Sequence, residues 1–259
     1  MVISSKDNEL IKYLKKLKEK KYRDEYGQYI VEGKKMLDEA FSENASIKKV
    51  VVSETYSKEN NLSIIEKKIA SSNMSIISDK LFKEVSNVVT NQGIIAIIEK
   101  NLDIPIDYNE RFYLILDNIQ DPGNMGTIIR TADSLNIKQL IVSNGCVEVY
   151  NPKVIRSTMG AIFRVNVIEV IELEQTITEM KEKGIKVYAT DLNTDKTIYS
   201  VDYENAAVII GNEANGVEEQ IKNIATDKIK IPMIGKTESL NAAVATSIIL
   251  YEAYRDILK

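Results

Sequence analysis

The chain has 259 residues, with 34 Lys and Arg against 38 Asp and Glu for a formal charge of -4, 44% hydrophobic residues, one Cys, and neither His nor Trp. Without His, imidazole-based nucleophile activation and His-ligated metal centres are excluded, while Cys146 alone closes no disulfide and builds no Cys-rich metal site. The length predicts two domains, each able to bury a core, and the thiol content a reduced, intracellular, cytoplasmic protein.

Charge is unevenly distributed. Residues 1–100 carry 18 basic and 15 acidic side chains, and residues 1–23 carry 8 against 3. No apolar run in the opening segment reaches the length of a signal-peptide core or of a membrane span. Leu10, Ile11, Leu14 and Leu17 follow helical spacing, which predicts one amphipathic helix over Lys6 to Arg23 with a lysine-rich outer face. That face is either simply solvated or in contact with nucleic acid. Strands are expected at Tyr29–Val31, Lys49–Val52, Ser75–Ile77 and within Gly93–Ile98, and helices at Gly33–Phe41 and Leu62–Ala70. The alternation predicts a small α/β domain.

Leu102 to Glu110 is polar, contains Pro105 and lacks periodicity, as expected of a linker, so the domains are placed at 1–106 and 107–259. Beyond it, strands are expected at Phe112–Leu116, Gln139–Val142, Lys186–Ala189, Ala207–Ile210 and Lys228–Ile231. Helices are expected near Gly126–Leu135, Leu173–Lys183, Val217–Ile224 and Leu240–Leu258, and the last aligns Val244, Ile248, Tyr251 and Tyr254 on a stripe that should pack against something substantial. The pattern is that of a mainly parallel sheet covered on both faces.

Neither G-x-G-x-x-G nor G-x-x-x-x-G-K-[ST] occurs after a strand, which weakens the dinucleotide and P-loop readings. Three other loops follow predicted strands, where ligands gather in such sheets. In the first, Pro122-Gly123 marks a turn, Asn124 is a capping residue, and the helix beyond carries Arg130. The second has Gly211, Glu213 and Gly216 in G-x-E-x-x-G spacing, which allows a ligand close to the main chain beside a carboxylate. The third runs from Ile231 to Asn241, with Ser239 as the default N-cap of the last helix.

Taken together, NMGTIIRTA (Asn124–Ala132), IGNEANG (Ile210–Gly216) and IPMIGKTESLN (Ile231–Asn241) resemble the three motifs of the SpoU/TrmH family of SPOUT methyltransferases, over about 150 residues from Phe112 onward. The first half resembles the smaller substrate-binding domain of ribosomal-RNA members, through Gln28–Gly33 and Thr90–Gly93. The resemblance implies a trefoil-knotted α/β domain preceded by a smaller α/β RNA-binding domain. It also implies a homodimer with composite sites, and transfer of a methyl group from S-adenosylmethionine, without a metal, to a ribose 2'-hydroxyl of RNA, with 23S ribosomal RNA favoured.

Carried over by position, Asn124, Arg130, Glu213, Ser239 and Asn241 are implied as catalytic or RNA-facing, and Thr190, Asp191, Gly211, Ile231, Met233 and Leu240 as cofactor-binding. Arg130 is implied to activate the hydroxyl, either as the base itself or by holding a phosphate while water or Glu213 takes the proton. RNA affinity is expected from Lys15, Lys16, Arg23, Lys34 and Lys35, with Lys48, Lys49 and nearby tyrosines in support. Alternatives are a transfer-RNA 2'-O-methyltransferase, a catalytically silent RNA-binding or ribosome-assembly protein, and a nucleotide-binding oxidoreductase. Residue order alone names neither the target nucleotide nor a housekeeping or resistance role.

Overall fold

The computed structural model describes residues 2–102 and 104–259. The chain forms two compact units, one of residues 2–102 with 150–163, the other of 104–149 with 164–259. Among the described residues no helix is long and apolar enough to cross a membrane.

In the first unit the elements are β1 (Val2–Ile3), α1 (Glu9–Lys16), α2 (Lys20–Tyr26), β2 (Gln28–Glu32), α3 (Lys34–Ser42), β3 (Ile47–Ser53), α4 (Glu54–Glu59), α5 (Ser63–Glu66), β4 (Met74–Ile77), α6 (Asp79–Val85) and β5 (Ile94–Glu99). The sheet order is β1-β4-β3-β5-β2. β1, β4 and β3 run parallel, while β5 is antiparallel to both β3 and β2. The core gathers Ile11, Leu14 and Leu17 with Val51, Phe82, Val85 and Ile97.

The expected helix over Lys6 to Arg23 is instead two helices. α1 stops at Leu17, whose carbonyl, with that of Lys18, accepts hydrogen bonds from Arg23 Nη1 at 2.9 and 2.7 Å. Lys18 Nζ is tied in turn to the Glu84 and Ser86 carbonyls at 3.0 and 2.9 Å. Tertiary hydrogen bonds thus hold the carbonyls that a continuous helix would use internally. The helix expected over Leu62–Ala70 shrinks to α5, in which Ile65 is buried and Ile64 exposed. α4 and α6 were not anticipated, although Ser53 and Ser78 cap them by accepting from Tyr56 N and Leu81 N.

The second unit contains β6 (Phe112–Leu116), α7 (Pro122–Ser134) and β7 (Gln139–Ser143). After α8 (Pro152–Thr158), which belongs to the first unit, follow β8 (Asn166–Val170), α9 (Leu173–Glu182), β9 (Lys186–Thr190), β10 (Ala206–Ile210), α10 (Glu219–Ile224), β11 (Asp227–Ile229) and α11 (Ala242–Ala253). The sheet order is β11-β9-β10-β6-β7-β8, and every pairing is parallel. β6, β7 and β10 are buried along their whole length, as strands covered on both faces must be. Neither α8 nor β8 was expected from the sequence.

Much of the expected linker is anchored in this unit. Asp107 N donates to Gln139 Oε1 at 2.8 Å, Gln139 Nε2 donates to the Asp107 carbonyl at 2.9 Å, and Ile106 and Tyr108 pack on the core. Pro122 does not make a separate turn. It occupies the first turn of α7 with Asp121 as N-cap, where its fixed φ and missing N–H cost nothing.

Candidate active site

Because the second sheet is parallel, the chain leaves β6, β9, β10 and β11 at the same edge. The segments after β9, β10 and β11 surround one cavity of about 350 Å³, within the usual range for a ligand pocket. Thr190, Asp191, Gly211, Ile231, Met233 and Leu240 all line it, and so do Glu213 and Ser239. Asn124, Arg130 and Asn241 are not among its lining residues.

Asn124 and Asn241 are nonetheless linked to it. Asn241 Nδ2 donates to Asn124 Oδ1 at 2.9 Å, and Asn124 Nδ2 donates to Glu213 Oε1 at 2.7 Å. A single hydrogen-bonded chain therefore joins all three motif loops. Asn241, rather than Ser239, caps α11, its Oδ1 accepting from Ala243 N and Val244 N. This uses the Asn241 oxygen locally and turns its amide nitrogen toward Asn124. Asn124 lies in the first turn of α7 and is not its cap; its N–H donates to Asp121 Oδ1 at 2.8 Å. Ser239 is exposed and makes no side-chain hydrogen bond among the described residues.

The two glycines of the second motif hold the Glu213 loop together with Asn212, Asp117, Asn118 and Glu218, which the sequence reading did not single out. A Cβ on Gly211 would overlap the Gly216 carbonyl and the Val217 nitrogen, so this glycine is required by the loop folding back on itself. Asn212 and Gly216 exchange backbone hydrogen bonds at 3.0 and 2.9 Å, and Asn212 Nδ2 donates to the Asn118 carbonyl at 2.8 Å. At the loop's far end, Glu218 N donates to Asp117 Oδ2 at 3.0 Å and Asn118 Nδ2 donates to Glu218 Oε1 at 2.6 Å. Asp117 is buried, and that desolvation raises its carboxyl above the ordinary value. An Asp directly after a fully apolar strand was the available signal for this role.

The cavity suits a molecule with a flat heteroaromatic end. Ile231, Met233 and Leu240 line it, and residues 231–240 make no backbone hydrogen bond among the described residues, leaving amides and carbonyls to pair with a ligand. Asp191 Oδ2 stands 3.6 Å from Lys222 Nζ and 3.8 Å from Lys228 Nζ, so its nearly buried carboxylate is charge-compensated. Lys222 also lines the cavity and was not anticipated. Arg130 is exposed on α7, without a hydrogen bond or ion pair among the described residues.

In the first unit, the residues expected to contact RNA divide. Arg23 is only 3% exposed and holds the α1–α2 junction, which removes it from an RNA-contacting surface. Lys15 pairs with Glu84 at 2.9 Å and Lys34 with Asp38 at 2.6 Å. Lys16 and Lys35 are exposed; Lys16 Nζ donates to the Tyr26 hydroxyl at 3.3 Å.

The SpoU rRNA Methylase family model matches residues 111–251, and the MRM3-like substrate binding domain model matches residues 8–96. The chain is 31% identical over 258 residues to the Bacillus subtilis 23S rRNA (guanosine(2553)-2'-O)-methyltransferase RlmP, covering 96% of this chain and 97% of that protein. A Sinorhizobium meliloti rRNA methyltransferase solved with bound AdoMet superposes with a TM-score of 0.88 at 28% identity, covering 100% of this chain and 99% of that one. AviRb from Streptomyces viridochromogenes, a SpoU methyltransferase solved in complex with AdoMet, gives 0.83 at 25% identity over 97% of this chain and 99% of its own. Family motifs, pocket and fold coincide: the chain belongs to the SpoU rRNA methylase family and is an S-adenosylmethionine-dependent RNA methyltransferase.

Proposed function

We propose that the protein methylates a ribose 2'-hydroxyl in 23S ribosomal RNA, and that it does so as a homodimer with a trefoil-knotted catalytic unit. The observation that carries the reading is the Asn241–Asn124–Glu213 chain, which holds one carboxylate at the edge of the cavity. The full-length likeness to the B. subtilis 23S enzyme favours ribosomal RNA. The separate first unit supports the same preference.

When bound, the cofactor supplies an electrophilic methyl group on a sulfonium. Ile231, Met233 and Leu240, with the unpaired main chain of 231–240, would hold its adenosine end, and Thr190 and Asp191 border the same cavity. For a ribose 2'-oxygen to accept that methyl group, its hydroxyl proton must leave. Glu213 is placed to take it: one carboxylate oxygen is fixed by Asn124, and the exposed side chain leaves the other for the hydroxyl or a bridging water. Arg130 is a fork of donors without an acceptor, suited to clamp the adjacent phosphate and orient the ribose rather than to remove a proton.

Arg130 does not line the cavity of its own chain, and Val244, Ile248 and Tyr251 on α11 are exposed instead of packed as their stripe predicts. A second copy would cover that stripe and bring its Arg130 to the site. The test is transfer of radiolabelled methyl from S-adenosylmethionine to unmodified ribosomal RNA, transfer RNA and assembled subunits, followed by mapping of 2'-O-methyl positions. Label in ribosomal RNA that disappears in Arg130→Ala supports the reading. Label confined to transfer RNA, or placed on a base, overturns it.

A further inference from the structure

Tyr13, Tyr22 and Tyr26 on the α1–α2 pair form a series of rings; Tyr13 and Tyr26 rest one side on the core and leave part of each ring open. The buried positions of these helices are Ile11, Leu14, Leu17 and Arg23, whereas all three tyrosines are only half-buried. The Tyr13 and Tyr26 centroids lie 5.0 Å apart with planes inclined by 30°, and those of Tyr22 and Tyr26 lie 6.0 Å apart at 24°. Tyr13 is held by its hydroxyl on Gln28 Oε1 at 2.5 Å, whereas the Tyr22 hydroxyl makes no hydrogen bond among the described residues.

Cations surround these rings. Lys16 Nζ lies 5.2 Å and Lys21 Nζ 5.6 Å from the Tyr22 centroid; neither makes a direct ion pair among the described residues, and Glu25 acts on Lys16 only at longer range. Beside them is an open cleft of about 510 Å³ lined by Tyr13, Tyr26, Lys12, Lys16, Lys49 and Glu9. Glu9 is engaged by Lys12 at 3.2 Å, so the excess charge of the cleft is positive. Half-exposed aromatic faces interleaved with exposed ammonium groups match one kind of partner: unpaired bases that stack while their phosphates meet lysine. Duplex RNA offers no such faces.

We propose that the tyrosine series and its flanking lysines are a stacking site for a single-stranded segment of the RNA substrate. The proposal rests on the RNA-modifying reading above and adds where, and in what conformation, the RNA is held. It also removes Lys15 and Arg23, which are engaged within the fold, from the expected RNA contacts, keeps Lys16 and adds Lys21.

The test uses the full-length protein and fluorescence anisotropy with a short unstructured RNA oligonucleotide and a blunt RNA duplex. Tyr22→Ala is expected to weaken single-strand binding on the order of tenfold while changing duplex binding by less than about twofold. Tyr22→Phe, which keeps the ring, is expected to bind as wild type. Lys16→Gln with Lys21→Gln is expected to lower the salt slope of single-strand binding by about one. Equal losses on both RNAs, no loss with Tyr22→Ala, or no single-strand binding by wild type would overturn the proposal. Circular dichroism and thermal melting, measured in parallel, serve as the check that each variant is folded. Absence of methyl transfer by wild type would count against the proposed function and leave this readout standing.

Discussion

Glu213 illustrates how little a residue's type says until its neighbours are known. A carboxylate in a turn rich in Gly and Asn is commonplace, but this one accepts from Asn124, which is itself held by Asn241. Glu213→Gln keeps the shape and removes the proton acceptor. Turnover should fall by roughly 10²- to 10⁴-fold, as for loss of a general base, with cofactor affinity nearly unchanged. Single-turnover transfer of labelled methyl, alongside calorimetry, checks this, and undiminished turnover would eliminate Glu213 as the acceptor. Asp117 gives a prediction of a different kind. Burial raises its carboxyl above the ordinary 3.8, so the folded chain keeps this proton to a higher pH than the unfolded chain does. Its contribution to stability is therefore fully present below 3.8 and is lost as pH rises through the folded value. Asp117→Asn should gain stability relative to wild type across that rise, read from urea midpoints at successive pH values. A pH-independent difference would show that Asp117 does not titrate there.

At the scale of elements, apolar spacing located most of the strands and helices, and it misjudged where hydrogen bonds to distant residues intervene. Leu10 to Leu17 keeps perfect helical spacing, yet the helix ends where Arg23 and Lys18 make their tertiary bonds. Pro122 looked like a turn because the Asp121 cap is recognised only once the helix is seen to begin there. α1 and α6 are further tied through Glu84, which Lys6 and Lys15 flank at 2.7 and 2.9 Å. Hydrogen bonds from these two lysines hold its carboxyl down at about 2, below its ordinary 4.5. For a depressed acid, the stabilising contribution is present above 4.5 and is lost as pH falls through about 2. Glu84→Gln should accordingly lessen the acid-induced fall in melting temperature over that window. The difference should be small and shrink in high salt, as for any exposed pair. A difference that persists undiminished in molar salt would assign the effect to something other than this ion pair.

For the whole molecule, the informative mismatch is the α11 stripe. Val244, Ile248 and Tyr251 have the spacing of a buried face, but the face buried in the chain is Ala242, Ala243, Thr246, Ile249, Leu250 and Ala253. With both faces apolar, one is left for a partner of the same kind. If sites are composite, mixing inactive Arg130→Ala with inactive Glu213→Ala should restore activity. Random exchange yields one intact site in half of the dimers, or about a quarter of the wild-type rate. Recovery is measured after co-refolding, and its absence despite subunit exchange would place Arg130 and Glu213 in the same chain's site.

The sequence by itself determined most of the element types, the parallel character of the second sheet, the family and two of the loops that meet at the cavity, after β10 and β11. These follow from local spacing and from motif residues whose identity survives without knowledge of their neighbours. Only the tertiary structure decided which residues within those loops touch. It linked Asn124 to Glu213 across 89 positions and Asn118 to Glu218 across 100. It also removed Arg23 from the surface and left Val244, Ile248 and Tyr251 of the α11 stripe bare, while Tyr254 packs against Phe112 as the stripe predicts. The physical reason is that hydrogen bonds and burial depend on distances between segments far apart in the chain, and hydrophobic periodicity carries no information about those distances.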